Sequence, residues 1–108
     1  MKENLRIKDK REFDLFFHKA TVFKNYFFIM YIRERKNELS RIGIAISNKF
    51  GKAYKRNLYK RRLRNIMRIN YEKFNQKYDY IVLIKKSCDT IDYVEMENKF
   101  LDLLKKVK

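Results

Sequence analysis

Between Glu38 and Glu72 the chain carries ten basic residues and no acidic one. Nine of the ten lie from Lys49 to Arg68, where an even spread of the 28 Lys and Arg over 108 residues would place about five. The same segment reads as a helix. A helix so charged cannot be buried; it can only lie on the outside of a core, with an apolar stripe inward and cations outward. With no Asp or Glu to supply i,i+4 partners, the outward face repels itself unless a polyanion relieves it. Phosphate backbones are the commonest cellular polyanion.

Placing residues about 100° apart sorts the segment cleanly. Tyr59, Leu63, Ile66 and Met67 gather into one apolar stripe, and Asn57, Lys60, Arg61, Arg64 and Arg68 fall on the opposite side. Lys55 and Arg56 flank the stripe nearer the N-terminus.

The rest of the chain can supply the core such a helix needs. Its length predicts one domain spanning residues 1–108. A formal charge of +15 alone would suggest disorder, but 45% hydrophobic residues, with nine Phe and eight Tyr, argue for a compact interior. There is no Pro and there are only two Gly, so no flexible linker is expected. A single cysteine, Cys88, cannot close an intramolecular disulfide and fits a reducing cytoplasm. No apolar stretch follows residues 1–6, so no signal peptide is expected. The longest apolar run, Tyr26 to Ile32, is seven residues, against the roughly 20 of a membrane helix; no membrane partner is expected.

Periodicity predicts a short helix over 9–18, with Phe13, Phe16 and Phe17 at helical spacing. Residues 22–34 read as one long strand or two short ones, 35–38 as a polar turn, and 39–47 as a strand. In that last strand Ile42, Ile44 and Ile46 face one way, and Gly43, Ala45 and Ser47 the other. The strands over 22–34 and 39–47 are expected to pair as an antiparallel hairpin, with Tyr26, Phe27 and Phe28 mostly in the core. The basic helix is expected over 52–74, a buried strand over 78–85 and a last helix over 91–107. The sum is an α+β sandwich, one mostly antiparallel sheet packed by helices, with an extra short strand near Val22.

Catalytic constellations are absent. His18 and Cys88 stand alone, with no context for an acid–base pair or a metal cluster, and read as structural or incidental. Asp89, Asp92, Glu95 and Glu97 crowd the start of the last helix, where they favour its dipole rather than hold metal. Neither a catalytic nor a metal-binding residue is expected, nor any cofactor held by the protein.

The run from Ser47 to Arg64 closely resembles the signature of the bacterial ribonuclease P protein component. The family pattern is a Lys, an apolar residue and Gly, then Ala one residue on, then Arg-Asn-Arg, then Lys-Arg with a further Arg a turn later. Lys49, Gly51, Ala53, Arg56, Asn57, Lys60, Arg61 and Arg64 match it position by position. Leu58 departs where the family usually carries the second Arg, and the wheel sets Arg62 near it. The resemblance extends to Phe13 and Phe17 of the first helix, to the strands around Tyr31 and 41–47, and to 79–82.

That resemblance implies an α-β-β-β-α-β-α fold with a left-handed β-α-β crossover around the basic helix. It implies a protein without an active site of its own, which binds a large catalytic RNA; metal ions on that RNA, with Mg²⁺ expected, cut the 5′ leader from precursor tRNA. Lys49, Lys52, Arg56, Asn57, Lys60, Arg61, Arg64 and Arg68 would then bind RNA. By the residues alone Phe13 and Phe17 read as core. The resemblance instead sets Phe13, Phe17 and Tyr31 over a small floor of Gly43, Ala45 and Ser47, as a cleft for the leader. Aromatic rings there would stack on unpaired bases with little sequence preference.

Two other readings compete. A ribosomal or ribosome-assembly protein would share the composition and the basic helix. A DNA-binding regulator fits worst, because a strand rather than a second short helix precedes the basic helix, so no DNA partner is expected.

Overall fold

Asp9 opens the first helix. Its carboxylate accepts the backbone N–H groups of Arg11 (2.8 Å) and Glu12 (3.2 Å), capping α1, Lys10–Phe16. The computed structural model describes residues 7, 9–36 and 38–107. The N-terminal residues read for a signal peptide, and Asn37 of the polar turn, lie outside the described residues. After α1 come β1 (Thr21–Lys24), β2 (Phe28–Glu34), β3 (Ile42–Ile46), α2 (Ala53–Ile69), β4 (Tyr78–Ile84) and α3 (Tyr93–Leu104). The strands form one open sheet in the order β1-β2-β4-β3. Among the described strands only the β3–β4 pair is parallel. The fold is the expected α+β class, with the extra short strand at Val22.

The expected hairpin between 22–34 and 39–47 does not form. The first stretch is itself a hairpin, β1–β2, and β4 inserts between β2 and β3. Asn25 makes the turn, its side-chain oxygen accepting the N–H groups of Phe27 (2.9 Å) and Phe28 (2.8 Å). The turn also corrects the reading of Tyr26. Phe28 is fully buried and Phe27 packs on the core, but Tyr26 is 70% exposed. β4 takes the centre because Asp79 to Val82 is buried without a break. A strand apolar on both faces is best placed between neighbours with helices above and below. The parallel β3–α2–β4 connection then lays α2 across the sheet.

Strand alternation sorts the sheet into two unequal faces. On one, Phe28, Met30, Ile32, Ile42, Tyr80, Val82 and Ile84 pack under α2 and α3 in the main core. On the other, Ile81 meets Ile7 and Phe16, with Phe13, Ala20 and Tyr31 around them. The short α1 covers only part of that second face.

The basic helix ends at Ile69 rather than near Phe74. Asn70 is buried, and its side-chain N–H groups donate to the Ile66 carbonyl (2.8 Å) and the Glu97 carboxylate (2.9 Å). That bends the chain into a tight turn at Tyr71–Lys73 and drops Phe74 into the core.

Candidate nucleic-acid interface

The approach to α2 is built around Phe50 and Gly51. Phe50 is buried against Tyr59, ring centroids 4.9 Å apart, and anchors the loop. The Ser47 hydroxyl accepts the Lys49 N–H (3.2 Å). Gly51 holds φ 124° and ψ −150°, a conformation only glycine adopts without strain, although a Cβ there would touch nothing. Lys49 and Lys52 are thereby exposed at the start of the helix. The first turn of α2 has no acidic residue and no side-chain cap, so its dipole adds to the positive field of these lysines.

Along α2 the wheel reading holds. Tyr59, Leu63, Ile66 and Met67 are the buried residues. Asn57, Arg61 and Arg68 are exposed; Arg56, Lys60 and Arg64 are partly buried. Some cations are spent internally. Lys55 pairs with Asp89 at 3.6 Å, Arg62 lays its guanidinium 5.0 Å from the Tyr59 ring centroid, and Arg68 donates to Asn65 (2.6 Å). Among the described residues no carboxylate pairs with Arg56, Lys60 or Arg61. Leu58, where the signature departs, packs partly buried on the main core.

The aromatic residues meet on the other face of the sheet. Phe13 and Phe17 lie edge to face with centroids 5.9 Å apart, and Phe17 and Tyr31 likewise at 4.6 Å. Phe17 is 37% exposed, which removes it from the core. Gly43 does not act as open floor: it is buried, and a Cβ on it would sit 2.9 Å from Phe13 and 3.1 Å from Ile81. Its smallness admits α1. Ala45 and Ser47 are partly exposed. Val22, paired with Tyr31 across the strands and 49% exposed, extends the apolar surface. The signal for Val22 was its register opposite Tyr31, which the missed β1–β2 hairpin concealed.

Polar contacts hold α1 in place. Both terminal guanidinium nitrogens of Arg41 donate to the Glu12 carboxylate (2.9 and 2.5 Å), and Arg33 donates to the Leu15 carbonyl (3.2 Å). The hydrogen bond from Arg41 holds the Glu12 carboxyl below its ordinary range, and the same bond raises Arg41. Burial pushes Asp79 upward although its carboxylate accepts the Arg41 N–H (2.8 Å). These groups line a concavity of about 500 Å³ beside α1, away from the Phe17–Tyr31 patch. Within it Arg41 pairs with Glu12.

The remaining candidates stand apart. The acidic cluster disperses: Asp92 caps α3 by accepting the Glu95 N–H (2.9 Å), Asp89 takes Lys55, and Glu97 takes Asn70. His18 is exposed, and burial pushes the Cys88 thiol up to about 12. Among the described residues no three His, Cys, Asp or Glu side chains could hold a metal ion, and no helix is long and apolar enough to cross a membrane.

A profile of the Ribonuclease P family matches residues 1–108. The chain belongs to the ribonuclease P family. The ribonuclease P protein component of Streptococcus pneumoniae serotype 4 is 35% identical over 105 residues, covering 97% of this chain and 85% of that protein. Two solved structures share the fold. The RNase P protein from Thermotoga maritima has a TM-score of 0.86 at 32% identity, over 95% of this chain and 97% of its own. That from Staphylococcus aureus has a TM-score of 0.86 at 27% identity, over 96% and 95%. The chain is thus a ribonuclease P subunit, and the family's function is tRNA 5′ processing. This decides between the competing readings: the basic helix is the ribonuclease P signature, not that of a ribosomal protein.

Proposed function

We propose that this subunit is the non-catalytic, RNA-holding part of ribonuclease P, and that it divides its work between the two sheet faces. The basic face binds the catalytic RNA. Lys49, Lys52, Arg56, Lys60, Arg61, Arg64 and Arg68 neutralise closely packed phosphates, and Asn57 donates to phosphate or a 2′-hydroxyl. The aromatic face takes the 5′ leader of precursor tRNA. Phe13, Phe17 and Tyr31 stack on unpaired bases above Ala45 and Ser47. On this reading bond cleavage, and the Mg²⁺ it requires, belong to the RNA. A lone buried thiol suits a reducing cytoplasm.

The observation that carries this reading is the physical separation of the surfaces. Arg56, Lys60 and Arg61, unpaired among the described residues, project from α2, while Phe17 and Tyr31 meet on the opposite side of the sheet. The test is a double dissociation. Arg61→Ala should weaken binding of the catalytic RNA by about 1 kcal/mol and flatten its salt dependence, with an unchanged melting temperature. Phe17→Ala should cost the holoenzyme about 1–3 kcal/mol in affinity for leader-bearing precursor, and nothing for mature tRNA. Equal losses for both substrates would remove Phe17 from the leader site. An indifferent Arg61→Ala would make α2 a merely solvated surface.

A further inference from the structure

The basic face of α2 carries one side chain that phosphate binding does not explain. Tyr54 is 72% exposed, the most exposed large hydrophobic among the described residues. Neither a hydrogen bond nor a ring contact joins it to any of them. The other tyrosine of α2, Tyr59, is spent inside, its hydroxyl turned to the carbonyls of Asp89 (3.4 Å) and Ile91 (3.3 Å). Tyr54 stands three and seven residues before Asn57 and Arg61, so the three share one row of the exposed face. It lies on the first turn, just past Gly51 and Lys52 and beside Lys55. A single exposed tyrosine is ordinary on a protein surface. Here it interrupts an acid-free row of amide and guanidinium groups, where Ala or Lys would serve the helix better.

We infer that Tyr54 is a base-stacking residue: its ring receives one unpaired base of the catalytic RNA while Asn57 and Arg61 hold the flanking backbone. The inference rests on the assignment of α2 to that RNA and adds a contact of a different chemistry. An aromatic face stacks on any exposed base, whereas cation–phosphate contacts engage only the backbone. Stacking releases no counterion, so its loss leaves the salt slope intact.

Titration of ribonuclease P RNA with wild-type, Tyr54→Ala and Tyr54→Phe protein tests this, beside a fully paired RNA duplex of similar length. Tyr54→Ala should bind the catalytic RNA roughly 5- to 150-fold more weakly with an unchanged salt slope, and bind the duplex as wild type does. Tyr54→Phe should keep near-wild-type affinity. The chain has no Trp, so Tyr54→Trp supplies a lone reporter whose emission should be quenched on binding. Wild-type affinity in Tyr54→Ala overturns the inference. So does an equal loss in Tyr54→Phe, which would make the hydroxyl a phosphate ligand. A loss confined to precursor affinity of the assembled holoenzyme would place the ring on the leader and overturn the assignment to catalytic RNA. If wild-type protein itself failed to hold ribonuclease P RNA, the functional reading would fall, and this inference with it.

Discussion

The two faces of one sheet differ in how their functional side chains are supported. α2 rests on Leu63, Ile66 and Met67, all fully buried, and its cations lie outside that foundation. α1 is seven residues long, buries only Phe16, and carries Phe13 at the margin of a small second cluster, with Phe17 just past its end. On the α2 side, folding and binding belong to different residues. On the α1 side Phe13 packs the helix on the sheet and also touches Phe17, the exposed ring of the proposed leader surface. Substitutions should therefore separate binding from stability on α2 and mix them on α1.

The largest expected effect lies on neither binding surface. Phe100 is fully buried between α3 and the sheet and packs on Phe28 and Phe74. Phe100→Ala should cost about 3–5 kcal/mol in denaturant unfolding and weaken both RNA activities together. A selective loss of one activity would show that the two faces do not share this core.

Gly43→Ala should be smaller and one-sided. The new Cβ would meet Phe13 at 2.9 Å, Ile81 at 3.1 Å and Ile7 at 3.2 Å, lifting α1 from the sheet. The expected cost is about 1–3 kcal/mol of stability, with leader discrimination lost and catalytic-RNA affinity kept. Intact leader discrimination in a folded Gly43→Ala protein would mean that the seating of α1 does not shape the cleft.

The two faces should also answer to opposite ends of the pH scale. Burial raises Cys88 from 9.0 and Tyr80 from 10.0, each to about 12, and both belong to the main core. A raised folded-state value contributes stability that is complete below the unfolded value and lost as pH climbs to the folded one. Unfolding free energy, and with it the melting temperature, should therefore fall above about pH 9 through Cys88 and above about pH 10 through Tyr80, by on the order of 1 kcal/mol per pH unit for each group up to about pH 12. Glu12, held low by Arg41 on the α1 side, works in reverse. Its contribution is present above the ordinary carboxylate value of 4.5 and is lost as pH falls through the lowered one. A flat melting profile between pH 9 and 11 would contradict the burial of Cys88 and Tyr80.

The sequence showed the helices and the α2 wheel because both depend on local spacing. The identity of strand neighbours does not. Alternation in β3 assigned its faces correctly, but only the unbroken burial of β4 between Asp79 and Val82 marked it as the central strand. The end of α2 was hidden because the stop is tertiary: Asn70 turns inward to reach Glu97 on α3. Gly43 and Phe13 were both assigned to the cleft, yet Gly43 makes room for Phe13. Spacing shows that a residue is small, not what fills the space. Tyr54 shares the exposed row of Asn57 and Arg61, but nothing in the ribonuclease P signature marks that position.

The most direct test of the account is reconstitution of precursor tRNA cleavage at low magnesium. The protein alone should leave a 5′-extended precursor intact; ribonuclease P RNA alone should be nearly inactive, and the two together should release the leader. Arg61→Ala protein should need a higher concentration to restore the same rate. Leader release by RNA-free protein, or no gain when protein is added to the RNA, would contradict the account.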